Sequence, residues 1–482
     1  MTSTHSASPT PGFQDTQATG SDATDIATSV VARVRAGFDR GITRPLAWRR
    51  GQLDALETLL RDNEAQLSEA LWSDLHKSAT EAWTTEIGFV LSDIANQRSN
   101  LAKWTAPTSA RLSLMFRPGK AQIIAEPKGV VLVLAPWNYP LQLVLSPMAA
   151  VITAGDAVVA KPSELAPATS AAIIELAARY LDPDAIAVVG GGIAEASALL
   201  EQKFDHIFFT GSTTIGRVVM RAAAEHLTPV TLELGGKSPA IVAADAAIEV
   251  TARRIAWGKF LNAGQTCVAP DYVLVAREQR DHLVEHLRVA IAEFYGDDPQ
   301  TSADYGRIVN HQHFARLQAL IDRPGSGSIA VGGSSDPSER YIAPTVLIDV
   351  EPDSNIMADE IFGPILPIIA IDTVDEALEF VNARPKPLAL YVFSNDDHNV
   401  EETLRRTSSG GVAVNATVLH LGPPGLPFGG IGPSGMGAYH GRAGFETFSH
   451  MKSVYSRRTW PDLKIIYPPY TKLKSRLLRR AQ

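Results

Sequence analysis

The sequence predicts an α/β fold of doubly wound, largely parallel sheets arranged in two units. Three observations carry that reading. Short continuous apolar runs, beginning with residues 130–134, have the signature of strands buried on both faces of a parallel sheet. Stretches of helical periodicity separate these runs at βαβ spacing. Each strand of the first series runs into a polar or glycine-rich loop, which is where ligands of open parallel sheets bind. With 482 residues, the chain is also too long for one hydrophobic core.

In chain order, residues 1–25 are rich in Ser and Thr and lack an apolar segment, so they are expected to be a disordered tail and not a secretory signal. From Ile26 to Trp104 the pattern is helical: Val30, Val31, Val34 and Phe38 share one face, as do Leu53, Leu56, Leu59 and Leu60. Pro118-Gly119 between β-like runs at 112–116 and 121–124 predicts a hairpin. The first series of strands follows at 130–134, 157–160, 186–189, 206–210 and 230–234, with helices at 141–153, 167–180, 194–201 and 214–226. A second series lies at 240–243, 272–276, 345–349, 365–371, 390–393 and 412–415, with helices at 248–260, 278–294, 312–321 and 374–381. Residues 422–437 are glycine-rich and aperiodic, and read as a long ordered loop. After Asp462 the cations Lys464, Lys472, Lys474, Arg476, Arg479 and Arg480 have no acid among them. This end reads as a solvated, frayed terminus; Leu473 and Leu477 make it weakly amphipathic, so a membrane-surface contact is the alternative.

Composition excludes several classes. The net charge of −8 gives no global support to nucleic-acid binding. A single cysteine excludes an intrachain disulfide framework, and no apolar run reaches the ~18 residues of a spanning helix. A cytoplasmic protein is the default expectation. His311-Gln312-His313 has metal-ligand residue types without a third ligand, so it reads as a helix start and no metal site is expected.

The one cysteine, Cys267, lies in Gly264-Gln265-Thr266-Cys267. An isolated cysteine is either a small buried hydrophobe or a nucleophile held on a loop. Its company decides between them. Phe208-Phe209-Thr210-Gly211-Ser212, Glu233-Leu234-Gly235-Gly236-Lys237, the cysteine motif, Glu360-Ile361-Phe362-Gly363-Pro364 and Pro427-Phe428-Gly429-Gly430 occur in this order. Together they resemble the hallmark motifs of the aldehyde dehydrogenase superfamily. The continuation Cys-Val-Ala-Pro-Asp-Tyr and Ser434-Gly435-Met436-Gly437-Ala438-Tyr439-His440 are similar to its class 3 branch, which includes fatty, aromatic and coniferyl-type aldehyde enzymes.

The resemblance implies a variant Rossmann-type NAD-binding domain (26–108 and 128–235, with a return at 428–447) and a second α/β catalytic domain (236–427). It also implies a small β bridging element for oligomerisation (109–127 and 448–470), followed by the basic tail at 471–482. The activity implied is NAD(P)-dependent oxidation of an aldehyde, through a Cys267 thiohemiacetal and thioester that a Glu233-activated water hydrolyses. Asn138, in Pro136-Trp137-Asn138-Tyr139-Pro140, would donate to the oxyanion. For the cofactor, Gly211-Ser212-Thr213-Thr214-Ile215-Gly216 follows a strand and opens a helix, the setting for a pyrophosphate. Lys161 and Glu164 would approach the adenosine ribose, and a carboxylate there favours NAD over NADP. Glu360 and Phe362 would hold the nicotinamide ribose. Tyr139 and Trp257, with Phe260, are candidates for an aldehyde channel, although core packing explains aromatics there equally well. A homodimer acting on a small aldehyde is expected. Transfer of the acyl group to coenzyme A and a non-catalytic structural role are the competing readings.

Overall fold

The computed structural model describes residues 20–323, 325–462 and 464–481. Its first strands are β1 (Thr108–Ala110), β2 (Lys120–Pro127), β3 (Val130–Leu134), β4 (Ala157–Lys161), β5 (Ile186–Val188), β6 (His206–Gly211) and β7 (Val230–Leu234). The second series comprises β8 (Pro239–Val242), β9 (Tyr272–Ala276), β10 (Ser328–Val331), β11 (Ser335–Asp336), β12 (Tyr341–Ile342), β13 (Thr345–Ile348), β14 (Ile365–Ile371), β15 (Ala389–Phe393) and β16 (Gly411–Val414). The chain ends with β17 (Gly435–Met436) and β18 (Ser449–Ser456).

Two large sheets organise these strands. The first has the order β17-β7-β6-β3-β4-β5 and is parallel except at β17. The second has the order β10-β13-β14-β9-β8-β15-β16 and is parallel except at β10. The apolar runs become the central strands because both faces are covered: all residues of β3, β4 and β9 are buried. The first sheet starts in its middle, at β3, adds β4 and β5 on one side and then β6 and β7 on the other. That reversal leaves a crevice between the β3 and β6 loops. The second sheet meets this crevice with the opposite ends of its strands. Lys237 precedes β8, Cys267 precedes β9, Glu360 precedes β14 and Leu388 precedes β15.

Four expectations need correction. Residues 1–19 of the expected disordered tail lie outside the described residues, but Gly20–Asp39 is a helix, so 20–25 are ordered. Ala23 and Ala27 continue the buried stripe of Val31 and Val34, and alanine carries too little hydropathy to show it. The hairpin exists, with β1 pairing β2, but its first arm is Thr108–Ala110 and Leu114–Phe116 is a 3₁₀ turn. The 422–437 stretch contains β17, which extends the first sheet antiparallel to β7. Finally, Lys472–Ala481 is a helix, with Leu473 and Leu477 exposed, instead of a frayed end; Lys, Leu and Arg are all good helix formers.

β2 also pairs with β18 along its whole length, giving a three-stranded antiparallel sheet in the order β1-β2-β18.

Candidate active site

A cavity of about 970 Å³ lies where the two large sheets meet. Asn138, Gly211, Ser212, Glu233, Cys267, Glu360 and Phe362 line it. Four separate segments therefore bring the predicted nucleophile, amide and carboxylates to one place.

The cysteine loop owes its shape to local backbone. Asn262, Ala263 and Gly264 have φ values of 52°, 51° and 74°, three successive left-handed residues that turn the chain back after the helix Ile248–Phe260. At Gly264 a Cβ would stand 2.3 Å from the Gly363 carbonyl oxygen, so no side chain fits. Buried Gln265 then fixes the turn: its Nε2 donates to the Asn262 and Arg307 carbonyls (3.1 and 2.9 Å) and its Oε1 accepts from the Val309 amide (2.9 Å). This network ties the cysteine loop to the Asn138 loop. Asn138 Nδ2 donates to the Gln265 carbonyl at 3.0 Å, while Asn262 Nδ2 donates to both the Asn138 carbonyl (2.7 Å) and the Gln265 carbonyl (3.1 Å). Tyr139 Oη and Thr266 Oγ1 are 2.6 Å apart.

Glu233, near the end of β7, is 2 % exposed. Neither of its carboxylate oxygens has a partner in hydrogen-bonding geometry. Burial pushes its pKa well above the carboxylate range, and the nearby Gly430 amide pulls it back only in part. Cys267 is half-buried. Burial, then the carboxylates of Glu360 and Glu233, push its thiol up to about 12, against the pull of the Cys267 and Val268 amides. Glu360 is itself raised to about 8 by burial and by Asp271. It lies against Gly235, where a Cβ would come within 1.9 Å of its Oε2.

The loop carrying Glu360 is anchored behind the site. Lys237 Nζ donates to Asp271 (2.6 Å) and to the Ile356 and Asp359 carbonyls (2.7 and 3.0 Å), and Asp271 accepts from the Ile361 amide at 3.0 Å. At the opposite wall, Ser212 caps the helix Thr213–Ala224, its Oγ accepting from the Ile215 amide at 3.4 Å. The N-terminus of that helix faces the cavity through Thr213 and Thr214, a place that favours an anion.

Other predicted residues lie elsewhere. Gly216 does not line the cavity; it lets the helix pack on β7, since a Cβ there would stand 2.7 Å from a Leu234 methyl. Lys161 is buried at the end of β4, its Nζ 3.4 Å from the half-exposed Glu164 carboxylate, and neither residue is in the cavity wall. Tyr139, Trp257 and Phe260 are also absent from that wall: Tyr139 is buried against Thr266, Trp257 is 38 % exposed and Phe260 is a core residue. Sequence reasoning missed His313. It sits at a helix start as expected, with Asn310 Oδ1 accepting from its amide at 2.8 Å, yet its ring packs 5.0 Å from Trp137 and lines the cavity. No spacing pattern marked it. No cluster of metal-ligating side chains occurs among the described residues.

Comparison with known proteins converges on the same chemistry. The model of the aldehyde dehydrogenase family matches residues 3–454. A relative from Canis lupus familiaris, named aldehyde dehydrogenase, dimeric NADP-preferring, is 47 % identical over 442 residues, covering 91 % of this chain and 97 % of the relative. Aldehyde dehydrogenase family 3 member H1 of Arabidopsis thaliana is 47 % identical over 455 residues, 94 % of each chain. Among solved structures, substrate-bound AldH of Staphylococcus aureus superposes with a TM-score of 0.92 at 44 % identity, covering 94 % of this chain and 98 % of that one. An aldehyde dehydrogenase of Mycobacterium tuberculosis complexed with NAD+ superposes with a TM-score of 0.82 at 28 % identity, covering 92 % of each.

Proposed function

The chain belongs to the aldehyde dehydrogenase family, and on that premise we propose how the residues of its cavity divide the work. The reaction is the NAD(P)-dependent oxidation of an aldehyde to its carboxylic acid. When bound, the dinucleotide supplies the hydride acceptor. The wall fits such a group: a capped helix N-terminus for phosphate, backbone kept bare at Gly211 and Gly235, and the Glu360 carboxylate for ribose hydroxyls.

Cys267 gives its thiol proton to solvent in the cavity, and the thiolate attacks the carbonyl carbon, so a C–S bond forms as the carbonyl π bond opens to an oxyanion. One Asn138 amide N–H is committed to the Gln265 carbonyl. The other, together with the Cys267 backbone N–H, receives the oxyanion. Collapse of this adduct expels hydride and leaves a thioester. Glu233 then takes a proton from water, the resulting hydroxide adds to the thioester carbon, and the C–S bond breaks to release acid and thiolate.

The observation that carries this reading is Glu233. A buried carboxylate with both oxygens unpartnered is costly, and here it lines the same cavity as the only cysteine. Acyl transfer to coenzyme A would not need it. Glu233→Gln should give a burst of NADH equal to the enzyme present and then stall, with coenzyme A giving no relief. Steady turnover would refute the assignment.

A preference for NAD rests on the family resemblance alone, which brings Glu164 toward the adenosine ribose, where a carboxylate would repel a 2′-phosphate; the exposed Glu164 carboxylate beside Lys161 leaves room for that role. A kcat/KM ratio favouring NADP would overturn it. The class 3 motifs support medium- to long-chain aliphatic or aromatic aldehydes, and a screen by chain length and aromaticity, reading NADH, tests this. A thiol that must stay reduced supports a cytoplasmic setting. Among the described residues no helix is long and apolar enough to cross a membrane. A homodimer is supported by β18, which lies at a sheet edge with Met451 and Tyr455 exposed.

A further inference from the structure

Beneath the Asn138 loop lies an ion pair removed from solvent. Lys77 and Glu86 are both 0 % exposed, with Lys77 Nζ 2.5 Å from Glu86 Oε1. Burying two charges is expensive and does not by itself stabilise a fold, so the other contacts of the pair matter. Lys77 Nζ also donates to the Asn138 backbone carbonyl at 3.0 Å and lies 3.8 Å above the Tyr139 ring. The second Glu86 oxygen accepts from the Leu141 and Gln142 amides, at 2.9 Å each, where the helix Gln142–Ala154 begins. Glu86 itself stands on a single π-helical turn, Trp83–Ile87, within a run of α-helix. Such turns cost hydrogen-bond geometry and often occur at functional sites. The pair therefore grips residues 138 to 142 at both ends and from below.

We propose that Lys77, held by Glu86, is a positioning residue for the oxyanion donor. It fixes the Asn138 peptide, and with Asn262 as the second donor to the same carbonyl, it sets the direction in which the Asn138 amide enters the cavity. Lys77 does not line the cavity and acts only through Asn138. The consequence for catalysis is angular: a donor that swings by about an ångström loses a large part of its contribution to the barrier. This inference rests on the role assigned to Asn138 above.

The test is a mutant cycle read in the first turnover. Lys77→Met with Glu86→Gln removes both charges together. The amide oxygen that the second substitution introduces can still accept from Leu141 and Gln142, so neither charge of the pair is left alone in the interior. The rate of the NADH burst should fall about 10- to 100-fold, while the dissociation constant for NAD, read by quenching of tryptophan fluorescence, stays within about twofold because neither side chain of the pair lines the cavity. Asn138→Ala should slow the same burst about 100- to 1,000-fold. The triple variant should be no slower than Asn138→Ala alone, since a positioning group has nothing left to position. A charge-removed pair with the parent burst rate, or a triple variant whose losses multiply, overturns the proposal. A normal burst in Asn138→Ala instead removes the oxyanion assignment on which it rests, and the two failures are distinct.

Discussion

Cys267 lies near two carboxylates, and burial together with Glu360 and Glu233 raises its thiol to about 12. The thiol is therefore the form held at neutral pH without dinucleotide, and the thiolate fraction grows about tenfold for each pH unit below that value. Alkylation of the dinucleotide-free protein by iodoacetamide should keep accelerating to at least pH 10; a plateau near pH 8 would show that burial and the two carboxylates do not raise the thiol. Glu233 has the complementary signature in stability. Its folded pKa lies above the ordinary value of 4.5, so the folded state keeps a proton that the unfolded chain gives up, and stability is lost as pH rises past the unfolded value. Glu233→Gln should thus melt higher than the parent, with an advantage that widens as the pH rises above the unfolded value, by at most ~1.4 kcal/mol per unit. The sequence exposed these residues because each sits in a motif of distinctive residue types. Lys77, Glu86 and His313 stayed hidden because burial of a charged or imidazole side chain depends on what packs over it, and helical spacing does not encode that.

At the scale of single elements, the buried strands were readable from composition alone, since a strand covered on both faces has to be apolar throughout. The short pieces were not. β17 has two residues and its identity comes from its partner: Gly435 stands opposite Glu233, and Leu234 donates to the Ser434 carbonyl at 3.0 Å. The left-handed turn at Asn262 and Ala263 is equally invisible in a non-glycine sequence, because tertiary hydrogen bonds impose it. Gln265 is the residue that holds that turn closed. Replacing it with alanine would strand the Val309 amide and leave the Arg307 carbonyl without its donor, while the Asn262 carbonyl keeps only the residue 265 amide. We expect Gln265→Ala to cost about 2–4 kcal/mol and to slow the NADH burst as the cysteine loop relaxes. A melting temperature unchanged within a degree would contradict the network.

For the whole molecule, the expected two-unit α/β architecture was legible because alternation of strand and helix constrains the order of layers so strongly. How the units face each other was not: the carboxyl ends of the first sheet meet the amino ends of the second, and no local pattern states that. The same scale carries the assembly prediction. Light scattering should give twice the 51.8 kDa chain mass, and Met451→Glu with Tyr455→Glu should halve it if the β18 edge is the seam. A dimer that survives both substitutions would move the interface elsewhere.

The pairing of β17 with β7 has a further consequence, for synthesis on the ribosome. The strand carrying Glu233 leaves the exit tunnel with one side open, and the piece that covers it is translated only after every strand of the second sheet has been made. Nascent chains halted before Gly435 therefore present a bare β edge, the kind of surface that recruits chaperones or joins other chains. The strand laid beside Glu233 is thus also the seal on the first half of the polypeptide.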